Sequence, residues 1–269
     1  MAGESAVKDD AAVLEVGERL ALAAGRAIME IYEAGFEVVS KADASPVTIA
    51  DERAEAIILE GLRTAFPGVV CVAEEETARG ILPAELGEEF FLIDPLDGTK
   101  EFVNRRPDFT VNIALVRAGA PEVGVVFAPC TGRLFAGRPG GAGLVEVDSS
   151  FHAGRRRPIA VRAGKPPLAV VASRSHNTPE TDAYIAGLGK TEIVSVGSSL
   201  KFCLLAAGEA DVYPRFGRTM EWDTAAGDAV LRAAGGTTVT LDGAPLAYGK
   251  RDQPHDSDFA NPHFIAKGR

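Results

Sequence analysis

The chain has 269 residues, of which 46% are hydrophobic and 25% charged, and its formal net charge is −10 at neutral pH. This length and composition are typical of a folded, soluble protein with one large domain or two closely packed ones. The negative charge argues against binding of a nucleic-acid polymer, which requires Lys and Arg to neutralise phosphates.

Targeting signals are also missing from the pattern. No apolar run is long enough to span a bilayer, so no transmembrane segment is predicted, and the acidic N-terminus is unlike a signal peptide. The cysteines Cys71, Cys130 and Cys203 are widely separated within apolar segments, so we predict buried thiols in a reducing compartment. The expected location is the cytoplasm, and peripheral association with an inner membrane is left open.

The first half of the chain contains two helical patterns followed by extended ones. Residues 10–34 form an Ala-rich helical stretch, and residues 51–65 form a second helix that ends at Pro67 and Gly68. Strands are predicted over 69–72, 90–93, 110–116, 123–128, 134–135 and 143–147. The close spacing of the later strands indicates antiparallel pairing.

The second half of the chain has a different pattern. An irregular basic segment, 149–167, precedes alternating strands and helices. The strands are predicted over 168–172, 193–196 and 211–213, and the helices over 180–188, 199–207 and 223–234. This alternation indicates α/β layers. We therefore predict two packed subdomains, an α+β unit over 1–148 and an α/β unit over 149–269.

Segment 90–99 is the most informative part of the sequence. Four apolar residues predict a buried strand, and the following Asp-Pro-Leu-Asp-Gly-Thr places Asp94 and Asp97 in a rigid turn. Gly98 permits a backbone geometry that side chains disfavour. Carboxylates this close raise each other's pKa unless a cation is present, and oxygen ligands suit Mg²⁺. The alternative is that both residues merely cap the turn.

Three further acidic positions lie at the ends of predicted elements. Glu74 and Glu75 follow the strand 69–72. Asp51 opens a helix, and so does Asp223. Each position has a plain structural alternative, because Asp is a common helix N-cap and the run 74–76 could be a solvated acidic segment. Only the combination of these positions favours a functional acidic site.

Three segments resemble the inositol monophosphatase superfamily of metal-dependent phosphatases. They are 73–75 (Ala-Glu-Glu), 94–99 (Asp-Pro-Leu-Asp-Gly-Thr) and 222–227 (Trp-Asp-Thr-Ala-Ala-Gly). The resemblance covers nearly the whole chain, keeps the family's motif order and shows no departure at the metal-binding positions. It implies the fold of that family, an αβαβα sandwich.

Four other segments resemble the 3′(2′),5′-bisphosphate nucleotidase branch of this superfamily. They are 100–102 (Lys-Glu-Phe), 173–176 (Ser-Arg-Ser-His), 197–202 (Gly-Ser-Ser-Leu-Lys-Phe) and 213–216 (Tyr-Pro-Arg-Phe). Inositol monophosphatases typically carry Thr-Asn where this chain has Lys100 and Glu101.

The resemblance implies a set of metal ligands. Glu74, Asp94 and the backbone carbonyl of Leu96 would hold one Mg²⁺. Asp94, Asp97 and Asp223 would hold a second, and a weaker third ion near Glu74 is compatible with the family.

Catalytic and substrate-binding residues are implied in the same way. The implied catalytic residues are Asp51, Thr99 and Glu74, with Thr99 and Asp51 orienting and activating the attacking water. The implied substrate-binding residues are Asp97, Gly98, Thr99, His176, Ser198, Lys201, Arg215 and Asp223. Without their motif context, Lys201 and Arg215 would be predicted to be solvated surface charges.

The implied activity is Mg²⁺-dependent removal of the 3′-phosphate from adenosine 3′,5′-bisphosphate, with 3′-phosphoadenylyl sulfate as a further substrate to test. The implied partner is thus a small phosphorylated nucleotide. A link to sulfur assimilation, inhibition by lithium and a homodimer are further implications of the family.

Two other functions stay open. An inositol-1-phosphate or other sugar monophosphatase would use the same metals with a different pocket. The residues that count against it are Lys100, Glu101, Ser198, Lys201 and Arg215. A non-catalytic metal- or phosphate-binding protein would keep the acidic residues. Such a protein would not need a water-activating pair such as Asp51 and Thr99.

Overall fold

Two β-sheets and the helices around them form the fold. A computed structural model of the chain describes residues 7, 9–34, 38–40, 46–172 and 178–269. The first elements are α1 (Asp10–Ala34), β1 (Val38–Ser40), β2 (Pro46–Thr48), α2 (Ile49–Ala65), β3 (Val70–Ala73), α3 (Glu74–Ala78), β4 (Glu89–Asp97) and α4 (Thr99–Val103). Five strands follow: β5 (Thr110–Arg117), β6 (Ala120–Ala128), β7 (Arg133–Arg138), β8 (Gly141–Glu146) and β9 (Arg157–Ile159).

The remaining elements alternate between strands and helices. They are β10 (Leu168–Ala172), α5 (Pro179–Gly187), β11 (Thr191–Ser195), α6 (Leu200–Ala206), β12 (Val212–Arg215), α7 (Ala225–Ala233), β13 (Thr237–Thr240) and β14 (Phe264–Lys267).

Both large sheets are mixed. The seven-stranded sheet has the order β3-β4-β5-β6-β7-β8-β9, in which only β3 and β4 are parallel. The five-stranded sheet has the order β11-β10-β12-β14-β13, with β10 parallel to both of its neighbours and β14 antiparallel to both of its own. Strands β1 and β2 form a separate antiparallel pair.

The elements stack in five layers. Helices α1 and α2 pack on one face of the seven-stranded sheet, and α7 packs on its other face beside α6. The connections from β10 to β11 and from β11 to β12 run in opposite directions across the second sheet. Right-handed crossovers therefore put α5 and α6 on opposite faces of that sheet. The resulting αβαβα sandwich confirms the predicted fold class.

Strand β4 shows why its sequence is a continuous apolar run. Phe91 and Ile93 face the core beneath α1 and α2, whereas Phe90 and Leu92 face the core shared with α6 and α7. A strand covered on both faces needs apolar residues at successive positions rather than at alternate ones.

The structure differs from the predicted elements at several points. Strand β4 continues beyond 93 to Asp97, because Pro95 lies at an irregularity in the pairing with β5, where a missing N–H breaks no regular ladder. Asp223 lies in a turn before α7 rather than in the helix. Arg157, placed in an irregular segment by the sequence, begins β9. The boundary near residue 148 stays a prediction, although β9 beyond it still pairs with β8.

The cysteine prediction was partly wrong. Cys71 and Cys203 are buried, but Cys130 is exposed because it lies in the turn between β6 and β7, just after its apolar run ends. Over the described ranges, no helix combines the length and the apolar character needed to cross a membrane.

Candidate active site

A cavity of about 290 Å³ opens where the end of β4 meets the start of α6. Eight of the predicted site residues line it: Glu74, Asp97, Gly98, Thr99, Ser198, Lys201, Arg215 and Asp223. Residues from both sheets therefore meet in one cavity, although they are far apart in the sequence.

The ends of two strands position the acidic residues. Because β3 is parallel to β4, Glu74, which follows β3, lies at the same sheet edge as the end of β4. In β4, Asp94 pairs with Asn112 of β5, and Asp97 pairs with Thr110 across the register shift. Asp223 enters from the turn before α7, where its carboxylate accepts the Met220 N–H at 2.8 Å.

Three of these carboxylates form a compact group. Glu74, Asp94 and Asp223 each offer an oxygen, and these oxygens all lie within 4.8 Å of one another. Burial raises the pKa of Asp94 well above its usual range, and the charges of Glu74 and Asp97 raise it further. Burial, followed by the charge of Asp97, does the same to the pKa of Asp223. This all-oxygen donor set, unfavourable without a positive charge, fits a hard divalent cation.

Asp97 lies outside that group of three. Its carboxylate accepts the backbone N–H of Ser199 at 2.5 Å. Burial raises the pKa of Asp97 to about 6, although the Lys201 charge and the Ser199 N–H both oppose this. Because Asp97 accepts the Ser199 N–H, this N–H at the start of α6 is not free to bind a phosphate.

The turn after Asp97 depends on glycine. Gly98 has φ = +94°, and a Cβ there would lie 3.0 Å from the carbonyl oxygen of Asp108. The next residue, Thr99, donates its hydroxyl hydrogen to the carbonyl of Leu96 at 3.2 Å. Its oxygen lone pairs stay available, so Thr99 can accept a hydrogen bond from a water molecule.

Asp51 belongs to the same electrostatic cluster. It lies in the first turn of α2 and is only 2% exposed. Burial is the largest cause of the raised pKa of Asp94, and the charges of other carboxylates follow. The charge of Asp51 also raises this pKa, by a smaller amount. Glu75 is buried and lies outside the group of three carboxylates.

Two cationic side chains, Lys201 and Arg215, line the same cavity. Lys201 is buried, and its Nζ donates to the carbonyl of Ser198 at 2.8 Å. Burial lowers the pKa of Lys201 to about 8, with the Asp97 charge opposing this shift. Arg215 donates one N–H to the carbonyl of Arg218, while its buried Nε has no hydrogen-bond partner among the described residues. His176 lies outside the described residues.

Sequence reasoning missed the polar residues that hold these segments. The buried amide of Asn261 donates to Thr219, to the Met220 carbonyl and to Thr224, and so fixes the turn that carries Asp223. Asn261 follows that turn by almost forty residues, so no local pattern could have indicated it. In contrast, two polar residues at alternate positions of the apolar strand β5, Thr110 and Asn112, were a usable signal.

Residues 9–265 match the model of the inositol monophosphatase family. The chain belongs to the inositol monophosphatase family. The resemblance read from the sequence segments is thus confirmed, and it extends over nearly the whole length.

Individual members of the inositol monophosphatase family show how near the resemblance is. The 3′(2′),5′-bisphosphate nucleotidase CysQ of Escherichia coli (strain K12) is 46% identical over 91% of this chain and 96% of its own length. The crystal structure of CysQ from Bacteroides thetaiotaomicron is 37% identical, has a TM-score of 0.77, and covers 95% of this chain and 97% of that one. An inositol monophosphatase from Anabaena is 27% identical, with a TM-score of 0.69 and 95% and 89% coverage.

Proposed function

We propose that this protein is a Mg²⁺-dependent 3′(2′),5′-bisphosphate nucleotidase. It would remove the 3′-phosphate of adenosine 3′,5′-bisphosphate to give AMP and phosphate. The observation that carries the proposal is a cavity lined both by the carboxylates of Glu74, Asp97 and Asp223 and by Ser198, Lys201 and Arg215. The CysQ nucleotidase of Escherichia coli, 46% identical over most of the chain, supports the same substrate.

The acidic residues at the cavity supply the metal site in this proposal. Glu74, Asp94 and Asp223 would hold Mg²⁺, with Asp97 and the Leu96 carbonyl as further oxygen ligands. A bound metal would supply charge neutralisation at the phosphate and a lower pKa for water. No covalent nucleophile is needed for this reaction.

Asp51 and Thr99 would prepare the attacking water. The Thr99 hydroxyl donates its hydrogen to the Leu96 carbonyl. The Thr99 oxygen would therefore accept a hydrogen bond from the water and so orient it. The buried carboxylate of Asp51 would accept the proton that the water loses.

The cationic residues Lys201 and Arg215 would give the site its preference for the nucleotide. The second phosphate of the substrate would meet Lys201 and Arg215. Within the part of the chain that the structure describes, the buried Nε of Arg215 has no hydrogen-bond partner. A charged phosphate there favours the protonated form of Lys201 and offsets the cost of burying the ammonium group. Ser198, and His176 by family resemblance, would complete this subsite.

Phosphate release from adenosine 3′,5′-bisphosphate and from inositol 1-phosphate tests the proposal. Both assays are run with Mg²⁺ and again with EDTA. The proposal predicts Mg²⁺-dependent turnover with strong preference for the nucleotide. Preference for inositol 1-phosphate would support the sugar-phosphatase alternative, and no turnover of either would favour a non-catalytic binding protein.

The variant Lys201→Ala tests the nucleotide subsite. Loss of one charge-assisted contact should raise KM for the bisphosphate nucleotide about tenfold, while KM for p-nitrophenyl phosphate changes much less. The matched control is Lys190→Ala, which removes an exposed lysine. An equal effect of Lys201→Ala on both substrates would remove Lys201 from the subsite.

Several finer features are part of the same proposal. We infer two Mg²⁺ ions per site with a weaker third, inhibition by lithium, a role beside sulfur assimilation, and a homodimer. The cytoplasm is the proposed location, supported by three cysteines that are all free thiols. Calorimetric titration with Mg²⁺ would give the metal stoichiometry.

A further inference from the structure

Three buried polar side chains form a closed hydrogen-bonded ring beside the cavity. Ser199 Oγ lies 2.6 Å from Asn112 Oδ1, Asn112 Nδ2 lies 3.3 Å from Thr110 Oγ1, and Thr110 Oγ1 lies 2.8 Å from Ser199 Oγ. All three residues are at most 2% exposed. We call this set the Thr110–Asn112–Ser199 ring.

The hydrogen positions in the ring follow from the chemistry of its members. The amide oxygen of Asn112 can only accept, so the Ser199 hydroxyl must donate to it. Ser199 then has no hydrogen left for Thr110, and Thr110 must donate to Ser199. Each member therefore donates once and accepts once around a single direction. Such a closed chain of hydrogen bonds polarises cooperatively in a buried setting.

The ring connects strand β5, which pairs with β4, to the start of α6. On β5, Thr110 pairs with Asp97 and Asn112 pairs with Asp94, so two members lie directly across the strand pair from two of the acidic residues. The third member, Ser199, directly precedes α6 and gives its backbone N–H to the Asp97 carboxylate.

The turn that Ser199 belongs to needs such support. Ser198 has φ = +49°, a left-handed conformation that costs free energy in a residue other than glycine. On its other side, Gly197 packs so tightly that a Cβ there would lie 2.8 Å from the carbonyl oxygen of Asp108. The turn is thus held between the loop before β5 on one side and the ring on the other.

We infer that Thr110, Asn112 and Ser199 are positioning residues. The ring holds the 197–201 turn in register with the end of β4, so that Ser198 and Lys201 keep a defined position relative to the carboxylates. The effect on nucleotide kinetics rests on the proposed function, whereas the effect on the turn does not.

Amide hydrogen exchange tests the inference without substrate or metal. Thr110→Val removes the hydroxyl at nearly constant volume, leaving the Asn112 amide without its acceptor, and Thr110→Ser keeps the hydroxyl. In EDTA, we expect exchange in the peptide 197–202 to be about tenfold faster in Thr110→Val than in the wild type. Thr110→Ser should stay within about twofold of the wild type.

Kinetics supply the second readout. Thr110→Val should raise KM for adenosine 3′,5′-bisphosphate about tenfold and lower kcat much less, because the turn carries the nucleotide-binding side chains. KM for p-nitrophenyl phosphate should change little, and Thr110→Ser should restore the wild-type values. The control is Thr238→Val, at a buried threonine of the edge strand β13. It should change neither the amide exchange of the peptide 197–202 nor KM for either of the two substrates.

Several outcomes would overturn the inference. Wild-type exchange in Thr110→Val would show that the ring does not hold the turn. Equal impairment of the Val and Ser variants would mean that any change at residue 110 disturbs the turn, so that loss of the hydroxyl group would not explain the effect. If Thr110→Val fails to fold, Ser199→Ala breaks the ring from its other end and should give the same exchange pattern. If the wild type does not hydrolyse the nucleotide, the proposed function fails and the exchange result alone decides the inference.

Discussion

Single residues of the site carry negative charge where water is largely excluded. Asp94 is the extreme case, because it is 1% exposed and surrounded by other carboxylates. Its hydrogen bond from the Leu96 N–H, at 3.0 Å, partly offsets that charge. A side chain placed in this way is costly to the fold and useful to a metal.

The variant Asp94→Asn should show separately how much stability the buried charge costs and whether Asp94 binds the metal. In EDTA, it should be more stable than the wild type by about 1 kcal/mol or more, because the amide keeps the acceptor for Leu96 and removes the buried charge. Millimolar Mg²⁺ should raise the unfolding temperature of the wild type and not that of the variant. Differential scanning calorimetry measures both effects.

The exposed carboxylate Glu192 provides the control for this variant. Glu192→Gln should match the wild type with and without Mg²⁺. Metal stabilisation of Asp94→Asn equal to that of the wild type would show that Asp94 is not a ligand.

At the scale of elements, helix α3 depends on a carboxylate from another helix. Ala73, at its N-cap, has no side chain able to accept a hydrogen bond. Glu55 of α2 takes that role, since it accepts the Glu75 N–H at 2.7 Å and pairs with Arg79 at 3.0 Å. Because α3 begins at Glu74, this contact also places a predicted metal ligand.

The titration of Glu55 gives the contact a pH signature. Burial raises the pKa of Glu55 from its ordinary value of 4.5 to about 7. The folded state then binds this proton more tightly than the unfolded state, so the stabilisation is present at low pH and is lost as pH rises from about 4.5 to 7. Glu55→Gln removes this titration and retains an acceptor oxygen.

The free energy of unfolding of Glu55→Gln, relative to that of the wild type, should therefore increase from pH 5 to pH 8. The gain should be about 2–3 kcal/mol, since each pKa unit corresponds to ~1.4 kcal/mol. Urea unfolding in EDTA at both pH values measures it. The exposed Glu60 of the same helix supplies the control Glu60→Gln, which should show no such gain. A pH-independent difference between Glu55→Gln and the wild type would contradict the account.

At the scale of the whole molecule, α7 lies between the two sheets and joins their cores. Close approach to the first sheet requires glycine on the facing strands. A Cβ at Gly124 of β6 would lie 2.3 Å from the carbonyl oxygen of Ala226, and one at Gly137 of β7 would lie 2.8 Å from the Cα of Val230. The turn that carries Asp223 directly precedes this helix, so the layer spacing also sets one wall of the site.

Gly124→Ala should therefore force α7 away from the sheet. We expect a loss of about 1–3 kcal/mol in the free energy of unfolding, as for other overpacked cores. The control Gly187→Ala adds the same methyl group where, apart from its chain neighbours and its own helix backbone, no described residue would lie within 4 Å. Urea unfolding of both variants checks the prediction, and equal stabilities would refute the packing argument.

Elements of the fold could be predicted where the sequence pattern is local, and could not where the structure depends on contacts between distant segments. Helical spacing over 10–34 and the apolar run of β4 are local patterns, and both elements occur where expected. The continuation of β4 through Pro95 was missed, because it depends on the irregular pairing with β5. Cys130 was misjudged because its apolar neighbours lie in β6, whereas the residue itself lies in the following turn.

The site divides in the same way. The carboxylates at strand ends carry the residue types that metal chemistry requires, so Glu74, Asp94 and Asp223 could be proposed from sequence segments. The ring of Thr110, Asn112 and Ser199 could not, because its members come together only when β5 meets α6. Motifs in the sequence indicate the chemistry of the site, whereas the hydrogen bonds that position it arise from contacts between distant segments.

Identification of the nucleotide product is the most direct test of the central claim. Adenosine 3′,5′-bisphosphate is incubated with the protein and Mg²⁺, and the product is separated by chromatography against 5′-AMP and adenosine 3′-phosphate standards. The account predicts 5′-AMP with one equivalent of phosphate and no product in EDTA. Adenosine 3′-phosphate as the product, or turnover that EDTA does not abolish, would contradict it.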